Sequence, residues 1–208
     1  MIIAVDGTAA SGKGTLAKRL AGHFNLAHLD TGALYRGVAL RLLRCSEDAD
    51  ISPDLAASEA RLLTLDDLND PDLRLENTSA MASKVASIPA VRQALLTYQQ
   101  DFAKHPPDDK DGSILDGRDI GTVILPDADI KFFCDADIEI RADRRYQELI
   151  SRGESAKYAD IRAGLAARDD RDKSRPIAPL KPAIDAIMIN TGHMSIDQMV
   201  KQAITYIV

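Results

Sequence analysis

The sequence predicts an α/β fold built on a mostly parallel sheet, and two features of the chain support this prediction. Short apolar segments alternate along the chain with segments whose apolar residues recur at helical spacing. The first apolar segment, Met1–Val5, contains no polar residue, which is typical of a strand buried on both faces of a parallel sheet. A chain of 208 residues is long enough for one sizeable core but short for two ordinary domains.

The first half of the chain alternates between strands and helices until it reaches an acidic segment. Leu16, Leu20 and Phe24 are spaced four residues apart and therefore share one face of a helix. The segment Ser46–Asn77 holds ten acidic and two basic residues, so we expect a solvated insert that buries little apolar area. After the opening strand, the predicted elements are a glycine-rich turn at Gly7–Gly14, a helix at Thr15–Phe24, a strand at Leu26–Asp30, and helices at Thr31–Arg44, Pro53–Leu68, Thr78–Ser87 and Pro89–Lys104.

The second half returns to strand and helix alternation after a loop at His105–Lys110, where two prolines and two aspartates stand together. Gly153 follows a charged helical pattern and marks its end. The predicted elements are strands at Ser113–Asp116, Ile130–Cys134 and Ala186–Asn190, and helices at Asp137–Arg152, Tyr158–Asp170 and Ile196–Ile207.

Composition and charge exclude several classes of protein. The net charge of −6 and the pI of about 5.2 argue against a general nucleic-acid binder, which is normally basic. No apolar run approaches the roughly 18 residues of a membrane-spanning helix, and we expect no signal peptide. Cys45 and Cys134 show no metal-ligand spacing and suggest no disulfide framework, so we expect a cytoplasmic protein.

The strongest local motif is G-x-x-x-x-G-K in the turn after the first predicted strand. Backbone N–H groups in such a turn form a nest for phosphate oxygens, and the following helix adds the positive end of its dipole. Lys13 supplies a mobile positive charge for the β- and γ-phosphates of a nucleotide. The plain alternative is a glycine-rich turn with a surface lysine. The predicted ATP-binding residues are Gly7, Thr8, Ala9, Ala10, Ser11, Gly12, Lys13, Gly14 and Thr15.

Arginines and a second aspartate motif indicate phosphoryl transfer. Transferring a phosphoryl group places charge on its peripheral oxygens, which guanidinium groups neutralise. The series comprises Arg36, Arg92, Arg118, Arg168, Arg171 and Arg175. Asp116 stands at the end of a predicted strand, where a carboxylate is placed to hold Mg²⁺ through water; a simple D-G turn explains the same residues equally well. The run Arg168–Arg175 also fits an exposed, solvated helix end.

Four motifs in order resemble the bacterial cytidylate kinase family. They are Gly7–Thr15 (GTAASGKGT), Leu29–Arg36 (LDTGALYR), Asp116–Thr122 (DGRDIGT) and Arg168–Arg175 (RDDRDKSR) followed by Ala178–Leu180. The resemblance runs from residue 2 to about 200. It implies a three-layer P-loop fold with a core at 1–45 and 88–208, a monophosphate-binding insert at about 46–87 and a short lid at about 153–178.

The resemblance also implies a reaction and its residues. Members transfer the γ-phosphate of ATP, with Mg²⁺, to CMP or dCMP. The implied catalytic residues are Lys13, Arg118, Arg171 and Arg175, and the implied magnesium ligands are Thr15 and Asp116. The implied CMP-binding residues are Thr31, Tyr35, Arg36, Ser83, Arg92, Arg118, Asp119, Arg168, Asp172 and Arg175. Among these, Thr31, Arg92 and Asp119 would recognise the cytosine edge.

The chain departs from the family pattern in three places. Thr31 replaces the usual serine, Asn190 replaces an acid that often precedes the last helix, and the segment between Arg44 and Ser83 looks short. The partners expected are ATP and CMP or dCMP, with no nucleic acid and no membrane, for a monomer. Two alternatives stay open at this point: a small P-loop kinase for shikimate, gluconate or dephospho-coenzyme A, and a binding protein that uses ATP as a switch.

Overall fold

The computed structural model of the chain describes residues 1–45, 51–64 and 66–207. The predicted start of the acidic insert, residues 46–50, therefore lies outside the described residues. The strands are β1 (Ile2–Gly7), β2 (Ala27–Asp30), β3 (Ser113–Gly117), β4 (Ile130–Asp135) and β5 (Ile187–Asn190). The α-helices are α1 (Lys13–His23), α2 (Thr31–Cys45), α3 (Pro53–Arg61), α4 (Glu76–Val85), α5 (Pro89–Lys104), α6 (Ile138–Ser151), α7 (Tyr158–Ser174) and α8 (Ile196–Ile204).

The five strands form one sheet in the order β2-β3-β1-β4-β5. Strand β1 pairs in parallel with β3 and β4, and β4 pairs in parallel with β5. The register places Asp6 opposite Gly117, and Gly7 opposite Cys134. The carboxyl ends of β1, β3 and β4 therefore meet at one edge of the sheet, where ligands bind in open α/β folds. The predicted α/β class with a parallel sheet flanked by helices is confirmed.

The chain divides into two compact units, of which the first comprises Met1–Leu29 and Ala103–Val208. In this unit α1 and α8 pack on one face of the sheet. Leu16, Leu20 and Met199 are buried there against strand residues that include Val5 and Phe132. Burying an aliphatic side chain of this size stabilises a fold by about 1.5–3 kcal/mol. This packing fixes the direction of β1 and α1, and with it the turn that joins them.

The second unit, Asp30–Phe102, contains the acidic segment. Ala56 and Ala60 of α3 are buried, as is Leu73. The Arg41 guanidinium bonds to the Glu59 carboxylate at 2.7 Å, and Arg44 bonds to two further acids of the segment at 2.8 and 2.9 Å. Most other described residues of the segment are exposed or half-buried, so the expectation of a solvated insert with little buried apolar area is confirmed for the described part of it.

One predicted helix ends early, and one turn was not predicted. The helix expected over Pro53–Leu68 stops at Arg61, and 3₁₀ turns follow at Asp66–Asn69 and Pro71–Arg74. The Asp67 carboxylate accepts hydrogen bonds from the backbone N–H and the hydroxyl of Thr64 at 2.7 and 2.8 Å, which favours a turn over continued helix. A π-helical turn at Ile120–Ile124 follows β3 and had no signal in the periodicity.

The other predicted elements are found with boundaries shifted by a few residues. Helix α7 is the largest extension, since it continues to Ser174 through the charged run. Among the described residues, no helix combines the length and apolar character required to cross a bilayer. The boundaries predicted for the monophosphate-binding insert and the lid stay predictions.

Candidate active site

The turn between β1 and α1 has the backbone shape of a phosphate-binding loop. A Cβ atom at Gly7 would lie 2.1 Å from the Cys134 carbonyl oxygen, so no side chain fits where β1 approaches β4. Gly12 has a φ of 86° and caps the N-terminus of α1 in the left-handed region, which glycine adopts without strain. Helix α1 then begins at Lys13, and its N-terminal N–H groups point into the turn.

Hydrogen bonds hold the loop from several sides. The Lys13 ammonium donates to the Thr8 carbonyl oxygen at 3.2 Å, and the Thr8 hydroxyl donates to the Asp135 carboxylate at 2.6 Å. The Thr191 hydroxyl donates to the Ser11 carbonyl oxygen at 2.6 Å. The Ser11 hydroxyl is buried and has no hydrogen-bond partner within the described part of the chain. A buried hydroxyl in this loop is suited to donate to a phosphate oxygen.

Asp116 lies at the carboxyl end of β3 and faces the first turn of α1. A Cβ atom at Gly14 would lie 3.7 Å from its Oδ1 atom, and its Oδ2 atom lies 2.7 Å from His28 Nε2. A single carboxylate beside a phosphate loop fits Mg²⁺, which in nucleotide sites is held by phosphate oxygens, water and one or two carboxylates. Thr15, the other predicted ligand, lies on α1 and is exposed. No cluster of three ligand-type residues occurs in residues 1–45, 51–64 and 66–207.

Half-buried Arg118 and buried Asp172 form an ion pair between the end of β3 and helix α7. The Arg118 Nε atom donates to the Asp172 carboxylate at 2.8 Å. Burial alone raises the pKa of the Asp172 carboxyl, but the Arg118, Arg168 and Arg175 charges outweigh that effect and hold the pKa below its ordinary value. Asp172 is therefore ionised at neutral pH and fixes the Arg118 guanidinium at the end of β3.

A second buried pair joins Arg175 to Asp119. The Arg175 Nη2 atom lies 3.0 Å from the Asp119 carboxylate, and the side chains are 7% and 5% exposed. Arg175 Nε also donates to the Ala178 carbonyl oxygen at 2.6 Å. The view of Arg168–Arg175 as an exposed helix end is wrong for Arg175, because an aspartate far away in the sequence covers it. Arg171, by contrast, is exposed.

Two residues that support this site were not predicted from the sequence. The buried Arg141 donates to the Ala9 carbonyl oxygen at 3.2 Å and pairs with Asp169 of α7 at 2.7 Å, so it ties the loop to that helix. The Asp6 carboxylate, also buried, accepts backbone N–H groups at 2.8 Å from each of two residues after Asp119. An arginine in a charged helix carries no distinctive local signal. Asp6 directly follows the first predicted strand, a position like that of Asp116, and this position could have singled it out.

The second unit holds the remaining predicted CMP-binding residues. The Asp30 carboxylate accepts the Ala33 N–H at 3.2 Å at the start of α2 and pairs with Arg36 at 2.7 Å. Thr31 and Tyr35 are buried on the same helix.

Arg92 and Ser83 lie on other helices of the same unit. The Arg92 guanidinium lies 5.9 Å from the centre of the Tyr35 ring, a cation–π distance. The Ser83 hydroxyl is buried, and no described residue bonds to it. The structure thus gathers the predicted residues into two groups, one in each unit.

Comparison with known proteins identifies the family. The cytidylate kinase family model matches residues 3–208. The chain is 51% identical over 205 residues to the cytidylate kinase of Rhodopseudomonas palustris strain BisB18. The aligned region covers 98% of this chain and 94% of that protein. It is 50% identical over 206 residues to the cytidylate kinase of Bradyrhizobium sp. strain ORS 278, with coverage of 98% and 94%.

Two solved structures share the fold at low sequence identity. An uncharacterized protein from Eubacterium ventriosum matches with a TM-score of 0.55 and 16% identity, over 100% of this chain and 98% of that one. A sugar kinase from Janibacter sp. matches with a TM-score of 0.52 and 14% identity, over 99% and 93%. These two likenesses concern the fold, whereas the family model and the close relatives cover nearly the whole chain. The chain therefore belongs to the cytidylate kinase family.

Proposed function

We propose that the site residues predicted from the sequence bind CMP or dCMP and ATP and promote transfer of the γ-phosphate of ATP to the monophosphate. Membership of the family makes the chain an ATP-dependent kinase of CMP and dCMP, a phosphotransferase. This membership argues against both alternatives left open by the sequence, a small kinase for another acceptor and an ATP-driven switch.

The observation that carries the proposal is the buried Asp119 carboxylate beside Arg175. Asp119 follows β3 at the sheet edge where β1 ends and the phosphate loop begins. A carboxylate accepts hydrogen bonds and, when ionised, donates none. The exocyclic amine of cytosine donates such a bond, whereas uracil presents a carbonyl oxygen at the same position. Asp119 thereby selects cytosine, and Thr31 and Arg92 contact other atoms of the base edge.

The proposed transfer needs no strong general base, because the phosphate of CMP is already an anionic nucleophile. Lys13 neutralises charge on the ATP phosphates, and Arg118, Arg171 and Arg175 neutralise the transferring group. Gly7–Thr15 surround the phosphates with N–H donors, to which the buried Ser11 hydroxyl adds one more. Ion pairs with Asp172 and Asp119 fix the Arg118 and Arg175 guanidinium groups before substrate arrives, so little reorganisation accompanies the reaction.

Mg²⁺ is proposed to be held by Asp116 and Thr15 together with the phosphates of ATP, with the carboxylate acting through water. When bound, the ion neutralises charge on the β- and γ-phosphates. His28 Nε2 is hydrogen-bonded to Asp116 Oδ2 and so fixes the orientation of the carboxylate.

Further contacts to CMP are proposed for single residues. Arg36 holds the CMP phosphate, Tyr35 lines the pocket, and Ser83, Arg168 and Asp172 contact the sugar. The segment at about 46–87 acts as the monophosphate-binding insert and 153–178 as the lid. We further propose that the protein is a monomer in the cytoplasm and that its partners are these small molecules, with no nucleic acid and no membrane. Free thiols at both cysteines accord with a reducing compartment.

The experiment that tests base recognition is the Asp119→Ala variant assayed with CMP and UMP. Loss of the acceptor for the cytosine amine costs about 1–3 kcal/mol, so kcat/KM for CMP is expected to fall about five- to 150-fold. The UMP reaction serves as the internal control, because uracil offers no donor to lose and the variant's other defects affect both acceptors. Equal losses with CMP and UMP would remove Asp119 from base recognition.

A further inference from the structure

Asp6 is a buried carboxylate at the end of β1 for which the reaction as described has no use. It is 4% exposed. Its Oδ1 atom accepts the N–H of Ile120 and its Oδ2 atom accepts the N–H of Gly121, both at 2.8 Å. Both carboxylate oxygens are therefore committed to the backbone of one short segment, which follows β3 in the chain.

That segment begins immediately after Asp119. Residues Ile120–Ile124 form the π-helical turn, and Asp119 stands at its N-terminal end with φ −146° and ψ 28°. The N–H groups of Val123 and Ile124 donate back to the Asp119 carbonyl oxygen at 2.9 and 3.2 Å. The turn thus fixes the backbone of Asp119, and Asp6 fixes the first two peptide groups of the turn.

The position of Asp6 in the sheet connects this turn to the phosphate loop. Strand β1 places Asp6 opposite Gly117, two residues before Asp119. The next residue after Asp6 is Gly7, where the phosphate loop starts. A single side chain therefore connects the backbone that leads into the proposed ATP site with the backbone that carries the proposed cytosine-binding carboxylate.

We infer that Asp6 is a positioning residue for base selection: by holding the Ile120 and Gly121 N–H groups, it sets the place of the Asp119 carboxylate. This inference rests on the proposed role of Asp119. Burial raises the pKa of Asp6 to about 6, although its two N–H donors and the Arg118 charge act in the opposite direction.

The chain offers a matched control for this contact at the other end of β1. The Asp129 carboxylate accepts the Ile2 N–H at 2.7 Å, on the exposed amino-terminal side of the strand. Asp6 and Asp129 are therefore both aspartates whose carboxylates accept backbone N–H groups, but of the two only Asp6 holds the turn after Asp119. Asp129→Asn is expected to leave the kinetics unchanged.

The test is the Asp6→Asn variant, assayed with CMP, UMP and ATP. Asparagine keeps the shape but has a single acceptor oxygen, so its NH₂ group must face one of the two N–H donors. The ratio of kcat/KM for CMP to that for UMP is expected to fall about tenfold, while KM for ATP stays within about twofold. Asp6→Glu, which keeps the charge but displaces the oxygens, is expected to lose selectivity as well and serves if the asparagine variant does not fold.

Two outcomes distinguish this inference from the proposed function. If Asp119→Ala loses selectivity but the Asp6 variants keep it, or lower the CMP and UMP reactions equally, Asp6 is only structural and the inference is overturned. If Asp119→Ala itself keeps selectivity, the proposed function fails first, and a tenfold loss in Asp6→Asn would then belong to another base contact.

Discussion

Replacing Arg175 by alanine is expected to destabilise the protein, not only to slow it. The Arg175 guanidinium lies 3.0 Å from the Asp119 carboxylate, and both side chains are almost fully buried. Its Nε atom holds the Ala178 carbonyl oxygen at 2.6 Å as well. The substitution therefore removes a charge that offsets the burial of Asp119 and frees a carbonyl group near the end of α7.

The expected loss follows from the burial of the pair. Removing one partner of a buried ion pair costs about 3–5 kcal/mol, because the other charge stays desolvated. For a chain of this size each kcal/mol shifts Tm by about 2–4 °C, which gives a fall of roughly 10 °C. An exposed arginine would cost about 1 kcal/mol or less.

The assay is urea unfolding and thermal denaturation of Arg175→Ala beside Arg19→Ala. Arg19 pairs with Asp197 at 3.2 Å, but these side chains are 59% and 79% exposed, so it is a matched control for a solvated pair. A double-mutant cycle with Asp119→Ala then isolates the coupling of the pair. If Arg175→Ala is no more destabilising than Arg19→Ala, the burial argument for this pair is refuted.

Two further predictions concern strand β1. Asp6 has a folded-state pKa of about 6, above its ordinary value of 3.8, so its favourable contribution to stability is fully present below about pH 4 and is lost as the pH rises through about 6. This difference in pKa corresponds to about 3 kcal/mol. Urea unfolding at several pH values should show the free energy of unfolding of the wild type falling by this amount relative to that of Asp6→Asn as the pH rises. A difference between the two proteins that stays constant with pH would contradict the prediction. Gly7→Ala places a Cβ 2.1 Å from the Cys134 carbonyl oxygen, so strands β1 and β4 must separate and the soluble yield and Tm should fall sharply. Gly22→Ala, where no atom lies within 4 Å of the added Cβ, is the control, and equal stability of the two variants would refute the steric argument.

The strands, the phosphate loop and most helices could be predicted because their signals are local. A buried strand, glycine spacing and periodic leucines each depend on residues close together in the chain. The predicted ATP-binding residues lie in one turn for the same reason. The helix expected over Pro53–Leu68 failed because a Thr64–Asp67 side-chain turn competes with the apolar pattern that favoured a longer helix.

The burial of the charged residues could not be predicted, because it depends on partners distant in sequence. Arg175 pairs with Asp119 across 56 positions, and Asp6 bonds to residues 114 and 115 positions away. Local composition describes such residues as solvated, which is how most charge runs behave. The pairing of β1 with β3 brings Asp6 to the turn after β3, and the end of α7 brings Arg175 to Asp119; both are properties of the tertiary structure.

The most direct test of the account is ADP release by the wild-type chain with ATP and a panel of acceptors. CMP and dCMP should raise the rate of ADP formation far above the rate with ATP alone. UMP should raise it much less, because the carboxylate of Asp119, in its proposed role, would find no donor on uracil. Shikimate, gluconate and dephospho-coenzyme A should leave the rate at its background. A rate that responds to one of those acceptors, or that CMP does not change, would contradict the assignment of this site to cytidine monophosphates.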